Sequence, residues 1–156
     1  MVITAGANDI NWLSLLRGCT SFDCATDQNR TMIANSLQNM KAQYADLLKQ
    51  IQAAKPHKIV INSYYDLLRP GDTCASGFGI TDEEVTFINE ELSALNLAIG
   101  TVADAAHVTL VPLDFSGHLL CDADSWIQNT NDSAPLHPTT AGHAHIAGLV
   151  VAAFKQ

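Results

Sequence analysis

The sequence predicts an α/β domain in which a parallel sheet is covered by helices. Two observations predict it. Short, β-branched apolar runs alternate along the chain with long segments whose apolar residues recur at helical spacing, and strands that alternate with helices pair in parallel. The composition also fits, with 47% hydrophobic and only 15% charged residues, which excludes a disordered chain. At 156 residues, the chain 1–156 reads as a single domain with one core.

The elements follow in order. Val2 to Ala5 is a short apolar run ending at Gly6, a buried strand entering a turn. Ile10 to Leu16 suits a short helix, and Gly18 to Asp27 a loop. From Gln28 to Ala54 the apolar positions Ile33, Leu37, Met40, Tyr44, Leu47 and Ile51 lie on one helix face, and Lys55-Pro56 stops the helix. Lys58 to Ser63 is a second strand. Arg69 to Gly79 holds Pro70, Gly71, Gly77 and Gly79 and reads as a loop. Thr81 with Glu84 forms a capping-box pattern, followed by a helix with Val85, Ile88, Leu92, Leu95, Ile99 and Val102 inward. His107 to Leu113 is a third strand, and Asp114 to Pro138 is irregular. Thr139 to Lys155 is a closing helix with Ile146, Leu149, Val150, Ala153 and Phe154 inward.

Net charge is −8, so the surface repels phosphate backbones and nucleic acid is excluded as a partner. The longest apolar stretch, Ile146 to Phe154, is too short to span a membrane. Of the four cysteines, Cys19, Cys24, Cys74 and Cys121, none forms a C-x-x-C pair, and zinc-type spacing is absent. An even number in loop-like stretches points to disulfides and an oxidising compartment; the alternative is four free thiols. Cys19–Cys24 and Cys74–Cys121 is the favoured pairing of the three that four cysteines allow.

Two segments could carry chemistry. Gly6-Ala7-Asn8-Asp9 follows a strand, where parallel α/β sheets bind ligands, and the Asn8 amide is a neutral donor suited to a developing oxyanion. Read alone it is equally an ordinary turn. Leu136-His137-Pro138-Thr139 puts a histidine in a non-helical position before a helix, where it could serve as a general base or simply sit at a helix entrance. Trp12 and Trp126 could line an acyl pocket or merely pack. His143 and His145, two apart on a helix, point in different directions and make a poor metal pair.

Together the two segments resemble the G-x-N-D block and the C-terminal His-Pro block of SGNH (GDSL-type) serine hydrolases. The loop cysteines are similar to those of secreted actinobacterial esterases and lipases of that family. The resemblance implies a flavodoxin-like parallel sheet with helices on both faces, and a carboxylic ester hydrolase of the esterase or lipase kind. Its substrate would be a small-molecule or lipid ester, and it would need no cofactor and no metal. In that family a serine in a Gly-Asp-Ser block attacks the acyl carbon and a histidine takes its proton. The serine N–H, a glycine N–H and an asparagine side chain hold the oxyanion. Carried over, Asn8 is the oxyanion donor and His137 the base. Gly6 lets the backbone turn beneath the site, and Asp9 fixes the loop by accepting backbone hydrogen bonds.

The match departs from the family in two places. No Gly-Asp-Ser block occurs in the 156 residues, and only five residues precede Gly6. The nucleophile, the glycine donor and the first two strands are therefore expected to be missing. The activity of such a chain would then need completion by another segment. Without it, the chain would act as a catalytically inactive binding module or self-associate through the Val2–Ala5 edge. Secondly, Ala134 stands where the family has an aspartate three residues before the histidine. Either the Ala134 carbonyl or Asp132 is expected to hold the ring, the carbonyl being preferred.

Overall fold

The computed structural model describes all residues 1–156. Three strands form one sheet in the order β1-β2-β3: β1 (Val2–Ile3), β2 (Val60–Asn62) and β3 (Thr109–Val111). Both pairings are parallel, with Val2 opposite Val60 and Ile61 opposite Leu110. The central β2 is buried throughout, as expected of a parallel strand covered on both faces. Nothing pairs with the far side of β1, and Val2 is 46% exposed.

Alternation along the strands divides the core. Ile3, Ile59 and Ile61 join the main cluster with α2 (Asp27–Ala53) and α4 (Asp82–Ala105). Val60 and Val111 face the other way, against Ala153 of α5 (Thr140–Phe154). Helices therefore cover both faces of a parallel sheet, the architecture the sequence predicts.

On α2 the inward face carries Leu48, fully buried, where the heptad-like spacing points to Leu47, which is 40% exposed. The assumed spacing averages 3.5 residues per turn, whereas a straight helix turns every 3.6, and over 27 residues the face drifts by one position. Every inward position expected on α4 is buried, and so are Phe87, Glu91, Ala98 and Ala103, because α4 wedges between α2 and the sheet. The α5 expectation holds less well. Ala153 is buried, Ile146, Leu149 and Val150 are half-buried, and Phe154 is 38% exposed; among the strands, this helix packs on β2 and β3.

Two short helices differ from the sequence reading. α1 spans Trp12–Cys19 rather than starting at Ile10, because Asn11 takes a left-handed φ of 56° that breaks the chain direction before it. α3 (Thr73–Gly77) sits inside the expected loop; five residues are too few to show periodicity. Both expected disulfides are present, Cys19–Cys24 and Cys74–Cys121. The first ties the end of α1 to the loop before α2, and the second ties α3 to the irregular segment after β3. No helix is long and apolar enough to cross a membrane.

Candidate active site

The turn after β1 is built on Gly6. Its φ is +127°, which side-chain-bearing residues rarely adopt, and a Cβ there would lie 3.3 Å from Leu95 Cδ1. Beyond it the chain coils tightly: Asp9 N–H donates to Gly6 O at 3.1 Å, Asn11 N–H to Asn8 O at 3.1 Å, and Trp12 N–H to Ala7 O at 3.1 Å. Asn8 is held at the tip with its side chain exposed and free of hydrogen bonds within the chain. Its amide donors are thus available to a ligand.

His137 stands on the loop that enters α5. Leu136 before it has a left-handed φ of 65°, a conformation that costs about 1–2 kcal/mol in a side-chain-bearing residue and must be held by its surroundings. Gln128 O accepts Leu136 N–H at 3.0 Å, and Tyr65 Oη donates to Leu136 O at 2.9 Å. Thr139 then caps α5 by accepting Gly142 N–H at 3.3 Å, while Thr139 N–H donates to Trp126 O at 2.7 Å. His137 Nδ1 lies 3.0 Å from the Pro135 carbonyl. A carbonyl only accepts, so Nδ1 is the donor of this bond, and in the neutral ring the lone pair lies on Nε2.

The ring partner is therefore Pro135, not either expected group. The Ala134 carbonyl is turned to the His137 backbone N–H at 3.1 Å, and the Asp132 carboxylate accepts Asn129 N–H at 2.7 Å. Asp9 also differs from expectation: its carboxylate is exposed and accepts no hydrogen bond, so the turn is fixed by backbone bonds instead. Gly6 supports the turn from below and does not face the cleft.

Asn8 and His137, far apart in sequence, line one cavity of about 270 Å³. Its wall is mostly apolar and includes Trp12, Leu13, Leu16 and Leu67. No serine, threonine or cysteine lines it. A second apolar cavity of about 390 Å³ continues from it, sharing Leu13, Leu16, Leu67 and Leu136 and extending to Phe78, Ile80 and Leu120. Trp126 does not line either cavity; it stacks on His118 at 3.8 Å between ring centroids and packs against His145 at 4.5 Å.

Sequence reasoning missed Tyr64 and Tyr65. They join the two loops: Tyr64 Oη accepts Ala7 N–H at 3.2 Å, and Tyr65 Oη bonds the carbonyl before His137. Burial pushes both phenols up, so both stay neutral in the physiological range. Their position just past β2, at the carboxyl edge of the sheet, was the signal that could have found them.

The chain matches the family model for GDSL-like lipase/acylhydrolases over residues 1–145. No curated protein sequence matches it. Its fold is similar to that of an extracellular lipase from Streptomyces rimosus, with a TM-score of 0.82 at 20% identity. It is also similar to a phospholipase A1 from Streptomyces albidoflavus NA297, with a TM-score of 0.73 at 24% identity. Each match covers 97% of this chain and 67% of the other. With the Gly6–Asp9 turn and the histidine loop meeting in one cleft of an α/β sheet, and a family match over 145 of 156 residues, the chain belongs to the GDSL-like lipase/acylhydrolase family.

Proposed function

We propose that this chain carries the proton-transfer and oxyanion machinery of a secreted esterase or lipase, with His137 as general base and Asn8 as oxyanion donor. The observation that carries the reading is that an unpaired amide and a histidine with a free Nε2 line the same apolar cavity. In the reaction a serine Oγ attacks the ester carbonyl while Nε2 of His137 takes its proton. The carbonyl oxygen gains negative charge and receives the Asn8 amide N–H. Collapse of this intermediate expels the alcohol, which takes the proton from His137. Water, activated the same way, then releases the acid from the acyl-enzyme.

The serine is proposed to come from a segment outside these 156 residues. No Gly-Asp-Ser block occurs in the sequence, and no hydroxyl-bearing serine or threonine lines the cavity. Such a segment would add a strand to the open side of β1, beside the Gly6–Asp9 turn. Two disulfides support an oxidising, extracellular setting.

The test uses the 156-residue chain with a fluorophosphonate probe and a short p-nitrophenyl ester. The chain alone is expected to remain unlabelled and to hydrolyse the ester only slowly. When a strand bearing Gly-Asp-Ser is supplied, the serine should label, and Asn8→Ala and His137→Ala should each lower turnover by about 10²–10³. Robust hydrolysis by the chain alone would show a nucleophile within it. His143→Ala matching His137→Ala in its effect would remove His137 as the base.

A further inference from the structure

We propose that Gln128 is the positioning residue that fixes the His137 imidazole, a role that rests on reading His137 as the base. Every backbone polar group from the Ala134 N–H to the Pro138 carbonyl has a partner, and Gln128 supplies four of them. Its backbone N–H donates to His137 O at 2.8 Å and its carbonyl accepts Leu136 N–H at 3.0 Å. Its side-chain Oε1 accepts Ala134 N–H at 3.3 Å, and its Nε2 donates to Pro138 O at 3.1 Å. One residue thus grips the loop on both sides of the histidine.

The consequence falls on the Pro135 carbonyl. That oxygen holds Nδ1 of His137, and the residues flanking it, Ala134 and Leu136, are each tied to Gln128 through their N–H groups. Pro135 and Pro138 have no N–H of their own, so the loop has few other ways to be anchored. With the Pro135 carbonyl held in place, Nδ1 keeps its proton and Nε2 faces the cleft as an acceptor. Release of the side-chain grip lets the peptide rotate, and the imidazole loses its reason to prefer that tautomer.

The side chain has to be glutamine. The amide must accept at one end and donate at the other, and the two targets are four residues apart on the loop. Glutamate could accept from Ala134 but would set a carboxylate against the Pro138 carbonyl. Asparagine is one methylene shorter. The anchor is itself braced two residues upstream, where Trp126 is stacked on His118 and its carbonyl accepts Thr139 N–H.

Long-range ¹H–¹⁵N spectra of the His137 ring in the 156-residue chain test this directly and need no turnover. At a pH where the ring is neutral, the unaltered chain should carry the His137 proton on Nδ1. In Gln128→Met, which fills the same space without polar atoms, the Nδ1–H fraction should fall by at least about twofold while the His118 and His143 rings keep their signals. Gln128→Glu, which of the two side-chain bonds keeps only the one to Ala134, should fall between the two. If Gln128→Met does not fold, Gln128→Glu alone decides, and a tautomer identical to that of the unaltered chain in the folded variant overturns the proposal. In a chain completed with a nucleophilic strand, Gln128→Met should lower kcat about ten- to a hundredfold with KM nearly unchanged. A tautomer shift together with full activity of His137→Ala would sink the base assignment and leave the clamp standing.

Discussion

Gly142 and Gly148 lie on the same helix, yet their surroundings give opposite expectations. A Cβ on Gly142 would meet Trp126 O at 2.5 Å and Pro138 Cβ at 3.0 Å, whereas a Cβ on Gly148 would meet nothing within 4 Å. Helix propensity favours alanine over glycine at either place by about 1 kcal/mol. At Gly148 that gain stands, and Gly148→Ala should stabilise the chain by about 0.5–1 kcal/mol in urea denaturation. At Gly142 the backbone contact wins, and Gly142→Ala should cost about 1–3 kcal/mol as the helix is pushed off the Trp126–Gln128 segment. Equal effects of the two substitutions would show that Trp126 yields easily. The two turns that carry Asn8 and His137, the residues proposed to act on the ester, were legible at this scale, because Gly-x-Asn-Asp and His-Pro mark local backbone conformations. The Pro135 carbonyl was not, since which of several nearby carbonyls meets a ring depends on the twist of the loop.

Among the elements, α4 shows how one cap links distant parts of the chain. Glu84 closes the capping box with Thr81, and its second oxygen accepts Cys24 N–H at 3.2 Å, so the disulfide loop and the helix start are one unit. Burial alone pushes this carboxyl up, but hydrogen bonds from the Thr81 N–H, the Cys24 N–H and the Thr81 hydroxyl outweigh it and hold the group below its ordinary 4.5. A folded-state value that is depressed means stability present above the unfolded value and lost as pH falls through the folded one. Glu84→Gln should therefore cost about 1–2 kcal/mol at neutral pH, and the deficit should shrink as both proteins are taken down to about pH 3. A deficit that stays constant would mean that the carboxylate charge contributes nothing. The Thr81–Glu84 half of this unit was readable from spacing; the bond to Cys24 was not, because it bridges 60 residues.

For the molecule as a whole, the open side of β1 is the feature with the largest consequence. Val2 is 46% exposed and Met1 54%, and no strand satisfies the outer groups of β1. Beside it, the buried Asn62 Oδ1 has no partner, although its amide donates to the Thr4 hydroxyl at 3.2 Å. An edge of this kind templates pairing with another strand. The chain should show concentration-dependent association in light scattering, and Val2→Lys should weaken it. A strand supplied in trans should suppress it. A stable monomer at all concentrations, with slow amide exchange in β1, would show the edge to be protected in some other way.

The sequence by itself determined the alternation of strands and helices, most of the inward positions of α2 and every one expected on α4, and the two loops that carry Asn8 and His137, and it favoured the cysteine pairing that the structure has. Periodicity, capping and turn chemistry are properties of a few neighbouring residues, so they can be read without the fold. The tertiary structure alone decided what joins the two loops. Tyr64 reaches Ala7 across 57 positions and Tyr65 reaches Leu136 across 71. It decided, too, that Gln128 grips the histidine loop, although only ten residues separate its side chain from Pro138. Those contacts depend on where packed elements bring side chains into register, and no local pattern of residue types encodes that.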